Sequence, residues 1–163
     1  MTARFAGIDV GERLLHCARV DADGRILDRA TLPARDPDAL ARWCSGASVV
    51  AIDAPEAPST MPHADSAELA PKFRAGRCAE VELGRSHGSW VSWVAPGGPP
   101  FPRWMEVGFG VYRAIGRLER TERLEVYPHA AFRELAGGRR GAAARRATAA
   151  RRLRPAPRGN SPR

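Results

Sequence analysis

Two aspartates close short apolar runs in the same kind of setting: Asp9 in Gly7-Ile-Asp-Val-Gly11 and Asp53 in Ala51-Ile-Asp-Ala-Pro55. Carboxylates at strand ends suit hard divalent cations. Magnesium takes one or two of them and completes its shell with water and substrate phosphate oxygens. Two such ions roughly 4 Å apart can activate an attacking water and stabilise the leaving oxygen of a phosphodiester. Glycines flanking Asp9 let a cation or phosphate approach the backbone closely. The blander alternatives are a solvated strand end for Asp9 and a turn cap for Asp53.

The elements that must hold these acids can be read from pattern. Arg4 to Val10 is a short apolar strand. Leu14 to Val20 and Arg25 to Leu32 flank the turn signal Asp21-Ala-Asp-Gly24 and form a hairpin. Asp36-Pro37-Asp38 caps and opens a helix whose apolar face is Leu40, Trp43 and Cys44, with Gly46 as the stop. Val49-Val-Ala-Ile52 is a continuous apolar run, the pattern of a strand covered on both faces, and Pro55 ends it after Asp53. Prolines punctuate residues 54–72 as a loop. Residues 73–85 predict a short helix, and Ser89 to Ala95 a strand. Pro102 to Arg120 predicts an amphipathic helix with Trp104, Val107, Val111, Ile115 and Leu118 on one face, weakened by Gly108, Gly110 and Gly116. Leu124 to Tyr127 predicts a further strand and Ala130 to Ala136 a short helix stopped by Gly137.

Composition bounds the function classes. A chain of 163 residues, 44% hydrophobic, is one domain's worth of sequence with enough apolar side chains for a core. No apolar run is long enough to cross a bilayer, and no secretory apolar region opens the chain, so no membrane partner is expected. Cys17, Cys44 and Cys78 are an odd number at spacings that match no zinc pattern. They read as reduced thiols in a cytoplasmic protein. The net charge of +8 is concentrated at one end: nine arginines and no acid lie between Arg139 and Arg163, which leaves residues 1–138 at about −1. The division expected is a folded domain over 1–138 and a poorly ordered Arg/Ala/Pro-rich tail over 139–163. Such a tail grips phosphates by counterion release, or is an end with no selected partner.

Taken in order, Gly7-Ile-Asp-Val-Gly, Ala51-Ile-Asp-Ala-Pro, Arg77-Cys-Ala-Glu-Val-Glu-Leu83 and Leu124-Glu-Val-Tyr-Pro-His-Ala-Ala-Phe132 resemble the successive motifs of a family known as domain of unknown function 429, described as predicted ribonuclease H-like nucleases. The resemblance spans roughly residues 4–136. It implies an α/β fold with a ribonuclease H-like mixed sheet: a three-strand antiparallel meander, a helix, then parallel strands, with flanking helices. It also implies carboxylate-bound Mg2+ or Mn2+, with Asp9 and Asp53 as the metal ligands, and a nucleic-acid substrate. Glu125 matches the Glu that opens the family's Glu-Val-Tyr-Pro motif, which makes it a third catalytic candidate beside Asp9 and Asp53. Its alternative is a strand residue paired to a neighbouring Arg.

Glu80 and Glu82 match the acidic pair after the Arg-Cys motif, but two residues apart on a helix they cannot share a face. Arg74 and Arg77 either contact phosphate or pair with those glutamates, with pairing the favoured reading, and His129 reads as a surface residue rather than a base. His16, His63 and His87 show no ligand spacing. The departure from the pattern lies downstream. Ribonuclease H-like enzymes supply another acid from a C-terminal helix, whereas this chain has no Asp or Glu after Glu134. A truncated, frame-shifted or divergent end is the expectation. Three functions compete: a divalent-metal nuclease, a degenerate domain that binds nucleic acid or has no activity, and a sugar-kinase-like phosphotransferase. The last needs a second Gly-Ile-Asp-x-Gly lobe, which the sequence does not repeat. Nothing in the sequence sets the oligomeric state.

Overall fold

A computed structural model of the chain describes residues 4–58, 76–88 and 100–135. The fold is α/β, built on one five-stranded mixed sheet. In chain order the elements are β1 (Phe5–Val10), β2 (Leu14–Val20), β3 (Ile26–Pro33), α1 (Pro37–Cys44), β4 (Val49–Asp53), α2 (Cys78–His87), α3 (Arg103–Ile115) and β5 (Glu122–Glu125). The strands lie in the order β3-β2-β1-β4-β5. β1 to β3 form an antiparallel meander, while β4 and β5 run parallel to β1. This places β1 centrally with β4 at its side.

Local chemistry explains each boundary. The β2–β3 turn is an Asx turn in which Asp21 Oδ1 accepts from the N–H groups of Asp23 and Arg25 at 3.0 and 2.9 Å. Gly24 supplies the positive φ of 78° that closes it. At the start of α1, Asp36 Oδ1 accepts from the Ala39 N–H at 2.8 Å, and Pro37 takes the first helical position. α2 begins at Cys78 because Arg77 sits at its N-cap, with Glu80 Oε2 accepting the Arg77 backbone N–H at 2.9 Å. α3 ends at Ile115, earlier than the periodicity suggests, because Gly116 caps it and a turn follows with Arg120 at φ 63°. β5 starts two residues early, since Glu122 N–H already bonds Ser48 O at 2.9 Å, and Val126 N–H continues the ladder to Ile52 O at 3.0 Å.

One face of the sheet makes the core. Ala6, Ile8 and Val10 of β1, Leu15 and Cys17 of β2, and Val50 and Ile52 of β4 pack with Leu40 and Cys44 of α1 and with Val111 and Ile115 of α3. At β4 the sequence expectation needs correcting. Val49 and Ala51 are only half-buried, because α1 and α3 cover one face alone among the described residues. A cluster outside the core ties the meander to α1: Arg19 donates to Asp28 at 2.6 Å and stacks 4.9 Å over the Trp43 ring, whose Nε1 also donates to Asp28 at 3.2 Å. The Arg19 hydrogen bond, foremost, holds the Asp28 carboxyl below its usual range.

All three cysteines lie in described residues and none is in a disulfide. Burial pushes Cys17 up to about 11; burial, reinforced by Cys17, pushes Cys44 up to about 12. Only the thiolate reacts. A disulfide reagent at mildly alkaline pH is therefore expected to titrate the exposed Cys78 at once, and the other two only when denaturant is added. Rapid release of all three equivalents would show that the core opens.

The chain divides into two compact units, Met1–Pro128 and His129–Arg163. In the second, residues 129–135 are helical and His129 is exposed, matching its reading as a surface residue. Arg74, His63, the strand expected at Ser89 to Ala95 and the tail from Arg139 lie outside the described residues. Among those described, no helix is long and apolar enough to cross a membrane.

Candidate functional site

β1 and β4 run parallel and in register, Ile8 opposite Ile52 and Asp9 opposite Asp53. Register partners point to the same face, and adjacent strands are roughly 4.8 Å apart. Because Ile8 and Ile52 are buried in the core, alternation turns Asp9 and Asp53 together onto the opposite face, which is open among the described residues. The neighbouring β2 adds His16 opposite Asp9, and β3 adds Thr31 opposite His16. The result is a transverse row, Thr31–His16–Asp9–Asp53, across four strands. Thr31 Oγ1 and His16 Nδ1 are 3.4 Å apart.

Electrostatics agrees with the register. The Asp53 carboxyl is raised above the usual carboxylate range, first by burial and then by the charge of Asp9. Two like charges held side by side, one half-desolvated, favour the approach of a cation. The donor set is two hard carboxylates beside open space, and it fits a magnesium or manganese ion that keeps several waters. Among the described residues, no three His, Cys, Asp or Glu side chains gather as a metal-binding group, so Asp9 and Asp53 stand there as a pair.

Glu125 lies elsewhere. Its register partner is Ile52, which alternation places on the helix-covered side of the sheet. The carboxylate is gripped by Arg77, with Nη1 donating to Oε2 at 2.7 Å and Nη2 to Oε1 at 2.5 Å, and it also accepts the Glu56 N–H at 3.0 Å. Arg77 Nη2 donates as well to the buried Glu80, at 3.3 Å. Of the alternatives open for Glu125, the structure thus shows the ion pair with arginine. It also shows Arg77 pairing with Glu80. Glu82 points away from Glu80, is exposed, and accepts from the Ser86 hydroxyl. Glu125 and Asp53 do border one common space, a cavity of about 210 Å³ that is also lined by Arg77, Trp104 and Met105. On α3, Tyr112 is buried with its hydroxyl unpartnered among the described residues. Burial foremost, then the charges of Glu125 and Glu56, pushes its phenol well up.

The chain leaving Asp53 is set by α3. A Cβ at Gly108 would meet the Ala54 Cβ at 2.6 Å, so glycine is what lets the helix lie against the residue after Asp53. Gly108→Ala would gain about 1 kcal/mol of helix propensity and lose roughly 1–3 kcal/mol to overpacking. A lower unfolding midpoint in urea is the expected result; a raised one would mean that Ala54 yields freely.

The larger open space, about 550 Å³, lies on the open face. It is lined by Gly7, Asp9, His16, Ala18, Arg29, Thr31, Ala51 and Asp53 among others. Sequence reasoning missed His16, Arg29 and Thr31. The signal available was period-two alternation: each is the polar neighbour of an apolar residue facing the core, and the Asp21–Gly24 turn fixes which of them line up.

Comparison with known proteins leaves the site to be read from its own geometry: no family model, curated protein or solved structure matches the chain.

Proposed function

We propose that this chain is a ribonuclease H-like domain that hydrolyses phosphodiester bonds of nucleic acid with Mg2+ or Mn2+ held by Asp9 and Asp53. One observation carries the reading: two carboxylates in register on adjacent parallel strands, sharing the face that no described helix covers, with one raised by burial and by the other's charge. The strand order with β1 central and β4 beside it accords with this fold.

A divalent ion there supplies Lewis acidity to the phosphodiester and acidifies a water. The protein's share is placement. The β1–β4 ladder fixes the spacing of the two carboxylates, and Gly7 and Ala51, one row below, leave the space over them open. Arg77 neutralises Glu125, so β5 adds no free carboxylate beside Asp53. That last contact favours a second reading, a degenerate domain that binds nucleic acid without cutting it.

The test is cleavage of single- and double-stranded DNA and RNA with magnesium or manganese, comparing wild type with folded Asp9→Asn and Asp53→Asn. Cleavage lost in both variants supports the nuclease. A well-folded wild type that binds but never cleaves supports the degenerate domain.

A further inference from the structure

Register lays the open face out in rows. Below Thr31–His16–Asp9–Asp53 comes Arg29–Ala18–Gly7–Ala51, since Arg29 pairs with Ala18, Ala18 with Gly7 and Gly7 with Ala51. Three successive strands thus present nothing larger than a methyl group, and the depression of about 550 Å³ lies over them. One row further along the same face stands Phe5, between Val20 and Val49 and 36% exposed. Arg29 walls the floor on the β3 side. It is exposed, and no carboxylate pairs with it among the described residues, although Arg19, on the covered side, is paired to Asp28.

These features differ from the acid pair in what they recognise. An unpaired guanidinium binds phosphate. A small-residue floor lets a sugar-phosphate backbone lie close to the sheet, as glycine does wherever backbone and ligand must approach. An exposed aromatic on a sheet face offers a platform for an unpaired base. The depression has the size of a small-ligand site, with room for part of one strand.

We infer that the open face takes a single strand of nucleic acid, running from Asp9 and Asp53 across the Ala18–Gly7–Ala51 floor, with Arg29 on a phosphate flanking the scissile one and Phe5 stacked against a base. The inference rests on the phosphodiester reading of the acid pair and specifies its substrate as single-stranded.

The test is fluorescence anisotropy of the full chain with labelled short oligothymidylate, oligouridylate and a hairpin duplex, in calcium, over a range of salt. One phosphate contact to a single strand contributes about 0.7 to the slope of log affinity against log salt, or roughly fivefold in affinity at about 0.1 M salt. Arg29→Gln should lose that much of both. Phe5→Ala should weaken binding several-fold with the slope unchanged, and Arg42→Gln, on α1 behind the covered face, should change neither. An unaltered slope in Arg29→Gln, a slope loss equal to it in Arg42→Gln, or a duplex bound more tightly than either single strand would overturn the assignment. Metal binding is read separately, by titrating manganese into Asp9→Asn. Unchanged manganese affinity there removes the metal reading of the acids and leaves the Arg29 result standing on its own.

Discussion

On the proposed reading, Asp53→Asn is expected to lower metal-dependent phosphodiester cleavage by about a thousandfold or more, and at the same time to make the metal-free protein more stable. Both effects have one origin. Asp53 is half-buried, shares a face with Asp9 and is raised by burial and by that neighbour's charge. Removing its charge relieves the desolvation and the repulsion, so thermal unfolding without metal should move upward. The same change removes one of two anionic donors from a hard cation. Loss of electrostatic stabilisation at a reacting phosphodiester is worth several kcal/mol, and each 1.36 kcal/mol or so is tenfold in rate. Binding gives a readout that needs no activity. A ligand at about a hundred times its dissociation constant stabilises the folded state by about 2.7 kcal/mol. Magnesium or manganese should therefore raise the unfolding temperature of wild type and leave Asp9→Asn and Asp53→Asn where they were. If metal shifts the variants as far as it shifts wild type, the aspartates are not its ligands. Gains of stability on deleting a working charge are the usual mark of a site that trades stability for function.

How much of this was legible in sequence depends on how local the cause is. β1, β2, β3, α1 and β4 could be read because each is bounded by its own punctuation: the Asp21–Gly24 turn, the Asp36 cap with Pro37, Gly46, and Pro55 after Asp53. The two aspartates stood out as strand ends for the same reason. That they are register partners on one face is a property of the sheet, fixed by the β1–β4 ladder and by which side α1 and α3 cover. The assumption that β4 is covered on both faces concealed the open face and with it His16, Arg29 and Thr31. The end of α3 was misjudged because Leu118 keeps the helical spacing after Gly116 has already ended the helix. Glu125 was the hardest case. Its motif marks it as a candidate, yet what it does in the fold is decided by Arg77, 48 residues away in sequence. No periodicity reports a contact of that range.

That contact is also the basis of the second large effect. Arg77 bridges two acids from different elements, Glu125 on β5 and Glu80 on α2, and its side chain is 20% exposed against 33% and 4% for the two carboxylates. A fork of two charge-assisted hydrogen bonds fixes direction as well as distance, which suits a helix that must be held at a sheet edge. Glu125→Ala should cost roughly 2–3 kcal/mol of unfolding free energy, since it leaves the partly buried guanidinium with Glu80 alone and removes the acceptor of the Glu56 N–H. Arg77→Ala should cost more, about 3–4 kcal/mol, because Glu80 is then a buried charge without its cation. The double variant should cost less than the two together, and denaturant unfolding of the four proteins measures the coupling. Strict additivity would mean that the fork contributes nothing to folding. A further variant, Glu125→Gln, decides what Glu125 is for. If it serves only to hold α2 and the end of β5, Glu125→Gln keeps the full upward shift in unfolding temperature on adding magnesium. If it is a metal ligand, that shift falls as it does in Asp53→Asn. The ion pair predicts the first outcome, because a carboxylate whose two oxygens both accept from a guanidinium, and whose register partner faces the core, is already charge-compensated away from the face that Asp9 and Asp53 share.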